Sequence, residues 1–418
     1  MFMFSIIILS HRRIISRLRY FFGIEVNHNH SIKKSAFLNF VWFEGAFFYL
    51  KTVENTSESR VLIDQKEKIM FASYNYLGLI NHPKLKEAAI KAIEKYGVGT
   101  SGVRLLSGTT KVHEELEAKI AEFKGAEDAI TYTSGYVTNL AAITSLYQRG
   151  DLVVIDKIDH ASIIDGCILS GARYKTFLHN DMKSLEGILA NSEEFVNKIV
   201  IVDGVYSMEG DVANLPEISR LAKKYNTKVM VDEAHSIGVL GKTGHGIEEY
   251  FGLKNTVDIN MGTLSKTIPS VGGYIAGNKD MIDYLRHNSR PFIFSAPLPP
   301  VTAAVAKAAL EVIEDEPERI ENLHKNMKKF REGINSIGYN TGGSITAIVP
   351  LIIGNEKDTL NLCKMVNDEG IFICPILFPA IPKGTNRLRA HVLTNHTSQD
   401  IDKALDIFKK AGEKLGLI

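Results

Sequence analysis

The stretch Lys228-Val229-Met230-Val231-Asp232-Glu233-Ala234-His235, with Gly262-Thr263-Leu264-Ser265-Lys266 following it, decides how this chain is read. Each is a short run, apolar or uncharged, that stops at a charged side chain. Runs of that length with β-branched residues read as strands, and runs with no polar alternation read as strands covered on both faces. Working outward, similar runs recur from Ala126 to Gly277: AITYT, DLVVID, RYKTFL, KIVIVDGV, KVMVDEAH, VDINMGT and GGYIAG. Helical patterns separate most of them, among them YVTNLAAITSLY, HASIIDGCILSG, DMKSLEGILANS and LPEISRLAKKY. Strands alternating with helices predict an α/β fold with a mostly parallel sheet. The last two runs are joined by a loop alone, so one strand there is expected to run antiparallel.

Beyond Pro297, Pro299 and Pro300 a long helical pattern runs from about Val301 to Ser336. TAIVPLII, a helix near Asp358 to Asn367, IFICPIL, RLRAHVLT and a final helix from Ser398 complete a smaller α+β unit. The expected organisation is therefore a leader over 1–58, a segment over 59–100 that joins the small domain, a large domain over 101–300 and a small C-terminal domain over 301–418. A chain of 418 residues exceeds what one core usually organises, which agrees with two domains.

Composition is that of an ordinary globular chain, 45% hydrophobic and 23% charged. With 49 basic and 48 acidic residues, nothing points to nucleic acid. Cys167, Cys363 and Cys374 form no CxxC and leave an odd count. That argues against a disulfide framework or a zinc site and suits a reducing, cytoplasmic setting. The first 50 residues differ. Met1 to Leu9 is apolar, and Arg12, Arg13, Arg17 and Arg19 follow with no acidic residue before Glu25. The charge falls on the wrong side of the apolar run for a secretory signal, and nine residues are too few to span a bilayer. An arm on a partner subunit, a segment lying on a membrane surface, sequence upstream of the natural start and an organellar presequence all fit.

The chemistry rests on a pair. In open α/β sheets, ligands bind beyond the carboxyl ends of strands, where Asp232 and Lys266 both fall. Taken singly, an Asp at a strand end is commonly a helix cap and a lysine is commonly solvated. Together they are what a pyridine cofactor requires: a carboxylate to keep the ring nitrogen protonated, and an amine whose burial lowers its pKa and makes it a nucleophile.

VMVDEAHSIGVLGKTG followed by GTLSKTIPSVGGYIAG resembles the α-oxoamine synthase family of pyridoxal-phosphate enzymes. Further motifs occur in the family's order: NYLG at 75–78, SGVRLLSGT at 101–109, TSGYVTN at 133–139, DHASIIDG at 159–166, DGVYSMEGD at 203–211 and NRLRAHV at 386–392. The resemblance covers about four-fifths of the chain. It implies the aminotransferase-like fold (fold type I), with a seven-stranded sheet in the large domain. It also implies decarboxylative condensation of an amino acid with an acyl-CoA or acyl-carrier thioester, in a homodimer. Carried over residue by residue, Lys266 matches the lysine that holds the cofactor as a Schiff base and Asp232 the partner of the ring nitrogen. His235 matches a histidine near the phenolic oxygen, His160 one that stacks on the ring, and Ser207 a cofactor contact. Ser134, Gly135 and Tyr136 open a helix, where backbone N–H groups attract phosphate, and Thr263 matches a hydroxyl on the phosphate side. Ser295 matches a segment that reaches the neighbouring subunit's phosphate, although Ala296 lacks a hydroxyl some relatives carry. Arg389 matches the arginine that grips the amino-acid carboxylate, with Arg387 the weaker candidate, and Asn75 lies near the substrate.

Asp232-Glu233-Ala234-His235 also spells a helicase box, and Gly241-Lys242-Thr243 resembles the end of a P-loop. The P-loop's earlier glycine position holds Ser236 and the order of the two elements is wrong, so both are set aside. No GxGxxG follows the first strand, and His235 and His245 lack metal-site spacing. Within the family, SYNYLG at 73–78, HASIIDGC at 160–167 and RPFIFSAPLPP at 290–300 look closest to serine palmitoyltransferases. Ala380 stands where 8-amino-7-oxononanoate synthases carry threonine. IIDG and NDM at 180–182 are shared with glycine C-acetyltransferases. The expectation is a long or medium acyl chain. An aminotransferase that makes no C–C bond and an inactive cofactor-binding homologue are the alternatives, and contact of the N-terminus with a membrane surface is a further expectation.

Overall fold

The computed structural model describes residues 42–43, 46–56 and 58–418. The basic stretch at 11–19, and with it every reading of the leader, lies outside the described residues. In chain order the strands are β1 (Trp42–Phe43), β2 (Ala46–Phe47), β3 (Arg60–Ile63), β4 (Lys66–Met70), β5 (Asp128–Tyr132), β6 (Leu152–Asp156), β7 (Arg173–Phe177), β8 (Lys198–Asp203), β9 (Lys228–Asp232), β10 (Ile259–Ser265), β11 (Pro269–Gly277), β12 (Ile348–Gly354), β13 (Ile371–Phe372), β14 (Pro375–Ile376) and β15 (Asn386–His391).

β5 to β11 form one seven-stranded sheet in the order β5-β11-β10-β9-β8-β6-β7. β7, β6, β8, β9 and β10 run parallel, and β11 is antiparallel to both its neighbours. The sequence predicts this because only the β10–β11 connection lacks a helix. β6 is buried at every residue, as a strand with helices on both faces must be. Leu152, Val154, Val200 and Val229 pack on one face, and Val153, Ile155, Ile199 and Met230 pack on the other.

The C-terminal part is smaller. β12, β15 and β14 form one antiparallel sheet, and β4 lies between β13 and β3 in another. The β4–β13 pairing ties residues near 60–70 to the C-terminal part. The long helical pattern from Val301 to Ser336 is corrected to two helices, Pro300–Asp315 and Glu318–Ser336. Pro317 has no N–H to continue the first helix and starts the second. IFICPIL is likewise two short strands, β13 and β14, in different sheets. Among the described residues no helix is long and apolar enough to cross a membrane.

Glu233 and Gly241, one from each lookalike motif, are structural. Glu233 is fully buried and pairs with Lys124, whose side chain is only 3% exposed, at 3.0 Å. It also accepts the backbone N–H of Ile247, and Lys124 donates to the carbonyl of His245 at 2.6 Å. Gly241 turns with φ +87° against Glu249. Removing one member of a buried pair strands the other charge. Lys124→Met should therefore lower the free energy of urea unfolding by about 3–5 kcal/mol, whereas Lys111→Met, on an exposed pair, should leave it nearly unchanged.

Candidate active site

The carboxyl ends of β8, β9 and β10 lie side by side. Asp203 is opposite Asp232 in the β8–β9 register, and Met261 is opposite Asp232 between β10 and β9. Asp232 is buried. Its carboxylate accepts the amide of Asn139 at 2.7 Å and the backbone N–H of Ala234 at 2.9 Å, and Asn139 also donates to Ser162 at 2.9 Å. The carboxylate is thus aimed from helix Gly135–Leu146 on one side and from its own turn on the other. Neighbouring Asp203 is pushed well above the usual carboxylate range by burial and by the adjoining Asp232. One Oδ of Asp203 has no partner.

Lys266 follows β10 just past an irregularity in the β10–β11 ladder between Thr263 and Ser265. Burial lowers its amine from 10.5 to about 8, with the carboxylates of Asp232 and Asp203 opposing the shift. The amine lies 5.8 Å from the centre of the Tyr74 ring. His235 Nδ1 is 2.8 Å from the Tyr76 hydroxyl. That buried phenol has no other acceptor among the described residues, so it donates to Nδ1, and the proton of the neutral ring sits on Nε2. Burial and the positive Lys266 and Arg389 hold His235 well below its ordinary range.

Ser134 caps helix Gly135–Leu146, its hydroxyl accepting the N–H of Val137. A Cβ at Gly135 would lie 2.9 Å from Thr263 Oγ1, so glycine lets the helix start touch the strand end. Thr263 Oγ1 is 2.9 Å from Ser265 Oγ and donates to the carbonyl of Gly272 at 3.1 Å. Tyr136 bonds Asp165, and its ring stands edge-on to His160, which caps helix Ala161–Ser170.

Arg389 enters from β15. It donates to the Ser207 carbonyl at 2.8 Å and the Tyr74 hydroxyl at 2.7 Å, so among the described residues no carboxylate answers its charge. Arg387 is different: it is buried, and it donates to Glu209 at 2.7 Å and to the carbonyls of Met208 and Thr385. Its charge is already answered, which leaves Arg389 as the free cation. Asn75 is buried; its Oδ1 accepts the N–H of Leu79, and its Nδ2 has no partner.

The structure therefore brings Lys266, Asp232, His235, Arg389 and Ser207 around one cleft, with Ser134, Gly135 and Thr263 meeting at a helix start. Ser295, after the short helix Arg290–Ile293, has no hydrogen bond to any of them within the chain. Sequence reading missed Tyr74, Tyr76 and Asn139. A polar Asn139 on the buried side of an apolar helix was the available signal. The two tyrosines flank Asn75 within SYNYLG and were passed over.

Among known proteins, the aminotransferase class I and II family matches residues 66–408. The chain is 46% identical over 376 residues to the 8-amino-7-oxononanoate synthase of Treponema denticola, covering 90% of this chain and 95% of that one. It is 43% identical over 367 residues to the serine palmitoyltransferase of Bacteriovorax stolpii, covering 87% of each. The serine palmitoyltransferase of S. paucimobilis, solved with a bound PLP–myriocin aldimine, superposes with a TM-score of 0.87 at 34% identity, over 89% of this chain and 94% of that one. The chain belongs to the aminotransferase class I and II family. Within it the chain is an α-oxoamine synthase, one of the enzymes that depend on pyridoxal phosphate and act on an amino acid.

Only the neutral amine attacks an aldehyde. Capture of pyridoxal by the ligand-free protein, fixed with borohydride and mapped by peptide mass, should label Lys266. Labelling should rise with pH through a midpoint near 8, not near 10.5.

Proposed function

We propose that this enzyme condenses an amino acid with a medium- or long-chain acyl thioester, releasing carbon dioxide and the thiol and leaving an aminoketone. The observation that carries the reading is the convergence of an oriented carboxylate, a buried amine and an arginine without a carboxylate partner: Asp232, Lys266 and Arg389.

These residues fit pyridoxal phosphate. Asp232, held by Asn139 and the Ala234 N–H, answers a protonated ring nitrogen. The helix start at Ser134, Gly135 and Tyr136, with Thr263 pressed against Gly135, suits a phosphate. His160 would stack on a ring face, the Nε2–H of His235 would lie near the phenolic oxygen, and Ser207 would contact the cofactor. When bound, the cofactor supplies an aldehyde for the amine and an electron-accepting ring. The chain's own residues do the rest. Arg389 grips the amino-acid carboxylate, with Asn75 beside it. Lys266, whose amine burial brings down to about 8, takes the proton from the α-carbon and returns it after carbon dioxide leaves. Asp232 would face the ring nitrogen, aimed there by the Asn139 amide and the Ala234 N–H.

A homodimer is part of the proposal. Phe294, 71% exposed, and Leu106, 85% exposed, leave apolar surface bare on the single chain. Ser295 has no hydrogen bond to the site residues of its own chain, which suits reaching the phosphate of a second copy.

The serine palmitoyltransferase type is the leading pattern, supported by the TM-score of 0.87 and by the Tyr74-Asn75-Tyr76 segment around the cleft. The 46% identity to an 8-amino-7-oxononanoate synthase favours a second reading. The name of that product fixes its substrates: a nine-carbon acid with the ketone at carbon 7 needs a seven-carbon acyl group ending in a carboxylate, joined to alanine. The protein reconstituted with pyridoxal phosphate should be offered L-serine, glycine and L-alanine with straight-chain acyl-CoA thioesters, and separately with pimeloyl-CoA. We expect thiol release and a ketone product with a medium or long unbranched chain. Product from pimeloyl-CoA and L-alanine alone would establish the second reading. Lys266→Ala should lose the visible cofactor band, and a band unchanged by that substitution would sink the lysine assignment.

A further inference from the structure

Four of the buried polar side-chain atoms that lack a partner among the described residues lie on two adjoining pieces of chain. Asn75 Nδ2 is one, next to Tyr74. Arg389 Nε and both ring nitrogens of His391 are the others, on β15. Folded proteins rarely leave such atoms unpaired, and each calls for a partner. Arg387, Arg389 and His391 alternate along β15 and so face the same side of the sheet. Arg387 is fully engaged; the other two are not. Tyr74 stands between them. Its ring centre is 4.8 Å from the His391 ring at 74° and 5.6 Å from the Arg389 guanidinium, and its hydroxyl accepts from Arg389 at 2.7 Å. His391 itself is 2% exposed. Burial and the neighbouring Arg389 hold it well below its ordinary range, so the ring is neutral, with one N–H donor.

We propose that His391 is a further substrate-binding residue, whose ring N–H joins the Arg389 Nε–H in receiving the α-carboxylate of the amino acid when the Tyr74 side chain turns away from Arg389. This rests on the proposed amino-acid condensation. The ligand chemistry follows from the orphaned groups: one imidazole N–H and one unpaired Nε–H of a guanidinium that no carboxylate answers ask for a planar anion with several lone pairs. The Tyr74 hydroxyl, an oxygen accepting from the same guanidinium, occupies the place of one carboxylate oxygen in the free protein. A neutral imidazole suits this better than a second cation, because another positive charge would lower the Lys266 amine further. Residue His391 was passed over in the sequence, where it is one letter in NRLRAHV.

The test uses the holoenzyme and the shift of its visible band. L-serine and L-alanine are titrated, each beside its primary amide, which keeps the amine and lacks the carboxylate. His391→Leu should raise the Kd of the amino acid about tenfold or more, the worth of one charge-assisted hydrogen bond. It should move the Kd of the amide less than about twofold and leave the resting band unchanged, and His391→Gln, which keeps an N–H, should recover most of the loss. Should the leucine variant not fold, His391→Phe carries the same comparison. Amino-acid binding unchanged by the donor-free variant, or weakened equally for acid and amide, would overturn the assignment. A wild-type protein with no cofactor band at all would instead remove the proposed function beneath it.

Discussion

Parallel pairing of β8, β9 and β10 is the constraint from which the rest of the site follows. Parallel strands end on one edge, so Asp203, Asp232 and, a few residues past its strand, Lys266 are delivered to the same rim. An antiparallel β9 would send Asp232 to the opposite edge. The same packing that covers the sheet on both faces also buries the lysine, and burial is the largest influence on its amine. The carboxylates pull the other way, and the balance falls at about 8. The single antiparallel strand, β11, serves the same rim. It returns Gly272 and Gly273 beside Gly135, where a Cβ at Gly273 would lie 2.9 Å from the Gly135 Cα. Small residues at three points let a helix start sit against the strand ends.

The small C-terminal part supplies what the large sheet lacks. Its β15 carries Arg389 across to the Ser207 loop, and the N–H of His391 is anchored on the Phe71 carbonyl. Tyr74 and Tyr76 lie between the two parts, one bonded to Arg389 and the other to His235. The relative position of amine and arginine is therefore set by a segment that belongs to neither sheet. A fixed frame of donors and charges of this kind avoids reorganisation when charge develops on a substrate.

The fold was largely legible because buried parallel strands leave an unmistakable pattern: DLVVID and KIVIVD carry no polar alternation, and helices separate them. Val301 to Ser336 misled because helical periodicity on both sides of Pro317 hides a break made by one residue. In the site, Asp232 and Lys266 stand out in the sequence because each is a charge at the end of a short apolar run, whereas Arg389 is singled out only by the resemblance of NRLRAHV to the family motif. Asn139, Tyr76 and His391 do not stand out, because their importance lies in whom they face. Asn139 aims Asp232 across 93 residues of sequence, and Tyr76 reaches His235 across 159. No local spacing records such a meeting.

Which charges remain available was equally beyond the sequence. Arg387 and Arg389 differ by two positions on one strand face, and Glu233 and Asp232 are neighbours. In each pair one member is spent on structure and the other is left for a ligand. Arg387 is consumed by Glu209 and two carbonyls, and Glu233 by Lys124 and the start of helix Ile247–Phe251. Arg389 has only neutral acceptors, and Asp232 only neutral donors. A buried charge held by neutral partners keeps its full field. The site therefore presents a cation and a carboxylate that meet only neutral partners among the described residues, with an amine lowered to about 8 near both. That arrangement matches a substrate that arrives with a carboxylate and a cofactor ring that must stay protonated, and it needs the spent pairs around it to hold the unspent ones in place.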